Sequence, residues 1–261
     1  MKFVLSHRRI ITVSGQDSAD FLQGIITQNI DKVATDSPQY SCILTPQGKF
    51  LDDFFIFKTT SGYSLTISEQ YAEQLIKKLN MYKLGRDINL SHQQGQKLVL
   101  SENQEHGFYH DPRGNNLYIG LIETPPKPEA NHLNLATYHN WRMAKLIVDG
   151  DFDIPREKGI ILEYDLYSAL DFTKGCYMGQ ELIARTHHRG LVRKKLFHVK
   201  LEVDKQAQID VANNNKITTL AGKDAGKLVF LHEDHGYALI KHDYIGQQLL
   251  LNEINLQLIT K

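Results

Sequence analysis

Cysteine is scarce in this sequence. Two residues, Cys42 and Cys176, among 261 exclude a disulfide framework and fit a reducing environment. They also fall short of the four thiolates that an ordinary iron–sulfur cluster takes from protein. Net charge is missing as well, since 30 Lys and Arg balance 30 Asp and Glu. Nucleic-acid binders normally carry a basic surplus against phosphate, so no direct nucleic-acid partner is expected. No apolar run approaches the ~20 residues that span a bilayer, and Met1–Arg9 lacks a signal-peptide core. The expectation is a soluble, cytoplasmic protein without a membrane partner. Proline is sparse, and three of the seven crowd into Thr124–Pro128, which reads as a stiff, extended connector.

What is present is organised around Asp171–Thr186. Gly175 and Gly179 punctuate a loop, and Gln180-Glu181-Leu182-Ile183-Ala184 reads as a helix with an acid in its first turn. Cys176 stands in that loop, two residues after Lys174 and just before the helix. An ammonium and a helix N-terminus both favour thiolate, so a reactive cysteine is expected here. Cys42, inside the apolar run Tyr40–Leu44, reads instead as a small buried hydrophobe.

The rest of the chain predicts an α+β fold of antiparallel sheets with packing helices and a small C-terminal β-barrel. Ile10–Val13 is a strand, and Phe21, Leu22, Ile25 and Ile26 share one face of a short helix. Tyr40–Phe57 is a hairpin turning at Thr45–Lys49. Its second strand carries Asp52 and Asp53, whose alternation points one inward unless the strand is bulged; the other reading is an edge strand with both solvated. Ser68 is read as the cap of a helix with an apolar stripe at Ala72, Leu75, Ile76 and Leu79. A further helix is expected over 134–148, stopped by Gly150. The basic run Arg185, His187, His188, Arg189, Arg193, Lys194 and Lys195 is a solvated face or an anion collar. Adjacent His187 and His188 would diverge on a helix, and no metal site is expected from them. Phe197, Val199, Leu201 and Val203 alternate in the terminal strands.

Lys174-Gly175-Cys176-Tyr177-Met178-Gly179-Gln180-Glu181, followed by Ile183-Ala184-Arg185, resembles the signature of the YgfZ family of folate-binding iron–sulfur cluster maintenance proteins. Phe21-Leu22-Gln23-Gly24, with Thr27 and Asn29, resembles the opening that YgfZ proteins share with the T-protein of glycine cleavage. The resemblance implies a T-protein-like fold, with residues 1–190 forming a folate-binding region of two interleaved α+β units and 191–261 the barrel. It implies tetrahydrofolate as cofactor, and iron–sulfur carriers or client enzymes as partners. Function would be assembly or repair of [4Fe–4S] enzymes, including radical enzymes of tRNA thiomodification. Cys176 is then the reactive thiol and Lys174 tunes it. Asp52, Asp53 and Glu163 line the folate site, Gln180 and Glu181 hold the loop, and Arg185 belongs to the ligand-binding set. The paired Asp52-Asp53, matching the T-protein catalytic position and its neighbour, keeps a one-carbon transferase open as an alternative. A ligand-free scaffold for cluster carriers is the third reading, and whether the chain is an enzyme stays open. The arginine that these families often carry four residues before the helix-ending glycine is Leu146 here, with Lys145 beside it.

Overall fold

The computed structural model describes residues 1–114, 116–123, 135–188, 190, 192–202 and 215–259. Thr124–Pro128, Asn134, Arg189 and Val203 lie outside the described residues. The chain forms two compact units, Met1–Asn134 with Tyr167–Glu181, and Leu135–Leu166 with Leu182–Lys261.

In the first unit, β1 (Lys2–Val4) and β2 (Arg8–Ser14) precede helix α1 (Ser18–Ile25). The expected hairpin follows as β3 (Gln39–Leu44) and β4 (Phe50–Thr59). Its turn closes with Gly48 N–H donating to Thr45 O, and Gly48 takes φ +77°, which glycine adopts without a Cβ penalty. Next come β5 (Gly62–Ser68), α2 (Ala72–Tyr82), β6 (Asn89–His92), β7 (Lys97–Ser101), β8 (Tyr109–His110) and β9 (Tyr118–Ile122). They build a five-stranded sheet, β3-β4-β5-β2-β6, and a four-stranded sheet, β1-β7-β9-β8, in which every pairing is antiparallel. Phe21, Leu22, Leu75 and Leu79 of the helices join Val13, Ile43, Phe54 and Leu65 of the larger sheet in one apolar core. Helical stripe and strand alternation thus bury their apolar faces against each other.

Two boundaries differ from expectation. Ser68 ends β5 and caps nothing, and the residue before α2 is Tyr71, which makes no side-chain capping bond. Strand pairing with Arg8 has claimed Ser68 first.

In the second unit, α3 (Leu135–Ala144) ends before Gly150, where Leu146 takes φ +56° and Ile147 N–H returns to Arg142 O. Gly150 instead opens the short helix α4 (Gly150–Asp153), capped by Asp149, which accepts from Asp151 N–H. Helix α5 (Gln180–His188) continues from the first unit's loop. The terminal strands are β10 (Lys194–Leu201), β11 (Lys216–Thr219), β12 (Asp224–His232), β13 (His235–Lys241), β14 (Leu249–Leu251) and β15 (Ile254–Ile259). They close into a barrel ordered β10-β13-β12-β11-β14-β15. Val199, Leu201, Ile217, Leu228, Ile240 and Leu251 fill its inside, so closure leaves no edge exposed.

Candidate functional site

Residues 167–181 pack within the first unit and present the cysteine loop. Four bonds tie this segment to the last turn of α1 and the stretch after it. Thr27 Oγ1 donates to Ala169 O at 2.6 Å, and Gln28 Nε2 donates to Ser168 O at 3.2 Å. Asp171 N–H donates to Thr27 O, and Met178 N–H to Gly24 O. Thr27 and Gln28 are buried, and burial of such groups is tolerated because each is hydrogen-bonded. From sequence, this stretch is only a packing helix and its end. Its polar residues in fact hold the loop, and the signal for that was two amides and a hydroxyl directly after an apolar face.

Lys174 is the central fastener. Its Nζ donates to Gln23 O at 2.8 Å, Ile26 O at 2.7 Å and Gln28 O at 2.9 Å. These carbonyls lie at and just beyond the C-terminus of α1, where backbone acceptors lack helical partners and a cation is favoured. An ammonium has three N–H donors, so all three are spent on carbonyls. Burial lowers its pKa to about 8, while Asp171 and Asp31 hold it up. Lys174 thereby anchors the loop that carries Cys176.

Gly179 needs to be glycine, because it takes φ +83° and a Cβ there would stand 2.5 Å from Thr45 O. Gly175 meets no such demand, since nothing lies within 4 Å of a Cβ built on it. Gln180 Oε1 accepts from Tyr177 N–H at 3.0 Å, closing the loop onto the first turn of α5. Asp171 accepts from Thr173 N–H and Oγ1 and pairs with Lys32 at 2.9 Å. Burial would raise its pKa, but Lys32 and Thr173 outweigh it and hold it near about 2. Within this frame Cys176 is exposed, and its thiol has no hydrogen bond among the described residues. Cys42 is fully buried and burial pushes its thiol pKa up.

Asp52 and Asp53 are both inside. β4 is flanked by β3 and β5 and its two faces are covered, leaving each carboxylate 1 % exposed. The edge-strand reading therefore fails, and so does the one-in, one-out reading. Asp53 accepts from Arg8 Nη2 at 3.1 Å and from Tyr40 O–H at 2.5 Å, so its charge is matched internally. Arg113 lies over the rings of Tyr40 and Phe55 and binds Asp111. Asp52 Oδ2 accepts from Ser68 N–H at 3.0 Å. The buried Ser68 hydroxyl of that same residue has no hydrogen-bond partner among the described residues.

Glu163, in the 3-10 turn Ile161–Tyr164, and Arg185, on α5, belong to the second unit, while Glu181 closes the first. His187 and His188 share α5, their ring centroids 5.5 Å apart. Sequence reasoning looked for a cation at Leu146 or Lys145 and missed Arg142. That guanidinium is fully buried, pairs through both terminal nitrogens with Asp153 at 2.6 and 3.0 Å, and donates from Nε to His139 Nδ1. An arginine directly after a tryptophan reads as the solvated side of a helix, which concealed it.

Residues 3–100 match the GCVT N-terminal domain, and residues 193–261 match the CAF17 C-terminal β-barrel domain. The chain joins a GCVT-type domain to a CAF17-type barrel. A solved glycine cleavage system aminomethyltransferase T from Bartonella henselae superposes with a TM-score of 0.79. It covers 100% of this chain and 84% of its own at 11% identity, a likeness of fold. Among relatives, the iron–sulfur cluster assembly factor IBA57 homolog, mitochondrial, of Pyricularia oryzae is 32% identical over 74% of this chain. The mouse iron–sulfur cluster assembly factor IBA57, mitochondrial, is 29% identical over 98% of this chain and 82% of its own length. The chain spans 55% of the Pyricularia oryzae protein and 56% of a Coccidioides immitis one. These names overturn the cytoplasmic expectation, because the relatives are mitochondrial. Few cysteines report a redox environment and not an address.

Proposed function

We propose that this chain supports iron–sulfur cluster assembly through the Cys176 thiol and binds tetrahydrofolate in its GCVT-type domain. One observation carries the reading. An exposed thiol stands on a loop whose neighbours, Lys174 and Gly179, are fixed inside the same unit. The names of the relatives support the same role. Cys176 offers one thiolate to a cluster iron or a sulfur species. The remaining ligands come from a carrier or client, since the other cysteine, Cys42, is sealed in the core. The clients are [4Fe–4S] enzymes, including those that thiolate tRNA by radical chemistry. YgfZ-type specificity is the finer form of this reading.

For tetrahydrofolate, the chemistry of Asp52 and Ser68 fits. A buried carboxylate beside a hydroxyl without a partner suits the alternating donors and acceptors of a pterin edge, because an unsatisfied buried polar group is costly until it is paired. Folate, when bound, supplies a heterocycle able to carry a one-carbon unit. Asp52 would orient it by accepting an N–H.

Two measurements test the two halves separately. Cys176→Ala, expressed in cells lacking the protein, should abolish recovery of [4Fe–4S] enzyme activity with an unchanged circular dichroism spectrum; full recovery removes the thiol from the mechanism. Calorimetric titration with tetrahydrofolate should give equal binding by wild type and Cys176→Ala and weaker binding by Asp52→Asn. Absence of binding by all three would leave a ligand-free scaffold.

A further inference from the structure

Histidines gather where the barrel meets residues 135–166 of the same unit. Phe197, Val199 and Leu201 turn into the barrel, so alternation turns His198 to its outer face. His198 is nevertheless buried, with 9 % of its surface exposed. Its Nε2 lies 3.1 Å from Nδ1 of His235 on β13, and its ring lies 5.7 Å from that of Tyr237. The Tyr237 hydroxyl crosses the seam and donates to Ile147 O at 3.1 Å. Next to it, the ring of His139 on α3 lies 4.8 Å from Phe230 and 5.4 Å from His232, both on β12.

These rings are seated in forms that leave no place for an added proton. A neutral imidazole has one N–H and one acceptor nitrogen, whereas a charged ring has two N–H groups. Whichever ring donates across the 3.1 Å contact, a charged His198 must carry an N–H on Nδ1, and that nitrogen is buried without a partner. Nε2 of His232 is buried without a partner as well. A donor or a charge enclosed without an acceptor is costly. His139 Nδ1 already accepts from Arg142 Nε at 2.9 Å, so a proton there would set two donors against each other.

No counter-charge stands ready for His198. From β13 it is faced by His235 and Tyr237, and from β15 by Ile259, on a strand without ionisable side chains. The 3-10 turn Ile161–Tyr164, packed on β10, carries Glu163 and Tyr164. Lys200, on the same face of β10, pairs with Asp234, which also stands 3.7 Å from His235 Nε2. Around His139 the charges are Arg142 and, bound to that guanidinium, Asp153. Burial first, and then His235, lower the pKa of His198 from 6.5 to about 4, with no carboxylate acting against them.

We infer that this histidine cluster is an acid-sensitive latch: neutral rings hold residues 135–166 against the barrel, and a proton taken up at His198 loosens that seam. The inference does not depend on the proposed function, because Cys176 and Asp52 belong to the other unit. A histidine whose pKa falls on folding contributes stability that is complete above its ordinary 6.5 and is lost as pH drops from there through about 4. Across that window the open form should gain about a hundredfold over the closed one from this ring alone.

The chain supplies its own reporter, since its one tryptophan, Trp141, is buried on α3. Trp141 fluorescence of the full chain should shift to the red between pH 6.5 and 4. Amide hydrogen exchange should rise over the same range in α3, α4 and β10, while β2 to β5 of the first unit keep their protection. His198→Gln keeps an N–H for His235 and takes up no proton, so its transition should move to lower pH. Urea denaturation at pH 7 and pH 4 should show the unfolding equilibrium rising about a hundredfold more in wild type than in this variant. His198→Phe, which keeps a ring without nitrogens, makes the same comparison should the glutamine variant fail to fold. His242→Gln, exposed in the turn after β13, should follow wild type. A purely structural role for His198 would lower stability by the same factor at both pH values. That result, or exchange that rises evenly through both units, overturns the inference.

Discussion

Arg142 in the second unit and Lys174 in the first are two cations that the protein holds in different ways. Arg142 in the second unit is met by a carboxylate, a histidine and the rings of Phe152, Phe230 and Tyr237. Lys174 in the first is met by three backbone carbonyls and the ring of Tyr177. The arginine therefore ties side chain to side chain inside a closed core, where its pair contributes structure. The lysine ties a loop to a main chain, and what it fixes is the position of an exposed neighbour two residues on. A buried charge paired to a carboxylate reads as architecture, whereas one spent on carbonyls beneath an exposed thiol reads as positioning.

Removing Arg142 should break the comparison most severely. Arg142→Met leaves Asp153 buried without its partner, a change that costs roughly 3–5 kcal/mol. Urea denaturation should show the loss, with a transition that no longer overlays wild type. A loss below about 1 kcal/mol would mean that water reaches Asp153 and that the pair is not sealed. Replacing both partners, Arg142→Met with Asp153→Leu, should recover most of the stability, since well-packed apolar pairs can replace buried ion pairs.

The same contrast explains what could be read from the sequence. The hairpin at Thr45–Lys49, the α2 stripe and the barrel strands were legible because period and turn chemistry are local. Asp52 and Asp53 were not, since alternation says that neighbours point apart and says nothing about whether both faces of a strand are covered. Arg142 was hidden for a related reason: its partner Asp153 comes from α4, and its stacking ring, Phe230, from the barrel. Cys176, Lys174 and Gly179 were recognised as a group from their spacing, yet the work that Lys174 does could not be seen. Its acceptors are the carbonyls of Gln23, Ile26 and Gln28, and a carbonyl has no signature in an amino-acid string.

Lys174→Met sharpens the other side of the comparison. Three carbonyls lose a charged donor, and the expected cost is about 2–3 kcal/mol, smaller than for Arg142 because main-chain groups near a loop can turn to water. The distinguishing result is local. Amide hydrogen exchange should rise in 171–179 and in 23–28 while the barrel keeps its protection, and the accessibility of Cys176 to a thiol reagent should change. Exchange rising evenly through both units would make Lys174 a general stabiliser and erase the distinction from Arg142.

The smallest effect is expected at Asp171, where acidity supplies the control. Its carboxyl is held near about 2 against an ordinary 3.8, in spite of burial, by Lys32 and Thr173. A carboxylate whose pKa falls on folding contributes stability above its ordinary value, and that contribution is lost as pH drops through the folded value. Asp171→Asn keeps an acceptor for Thr173 N–H but loses the charge opposite Lys32. At pH 7 the variant should be less stable by about 1–2 kcal/mol; below about pH 2 the carboxylate is neutral in the wild type too, and the two proteins should converge. Because Lys32 is half-exposed, added salt should narrow the gap at pH 7. A gap that persists unchanged from pH 7 to pH 2 would mean that Asp171 acts on the loop through shape alone, and that the cysteine loop is held by packing and not by a charge that acid can remove.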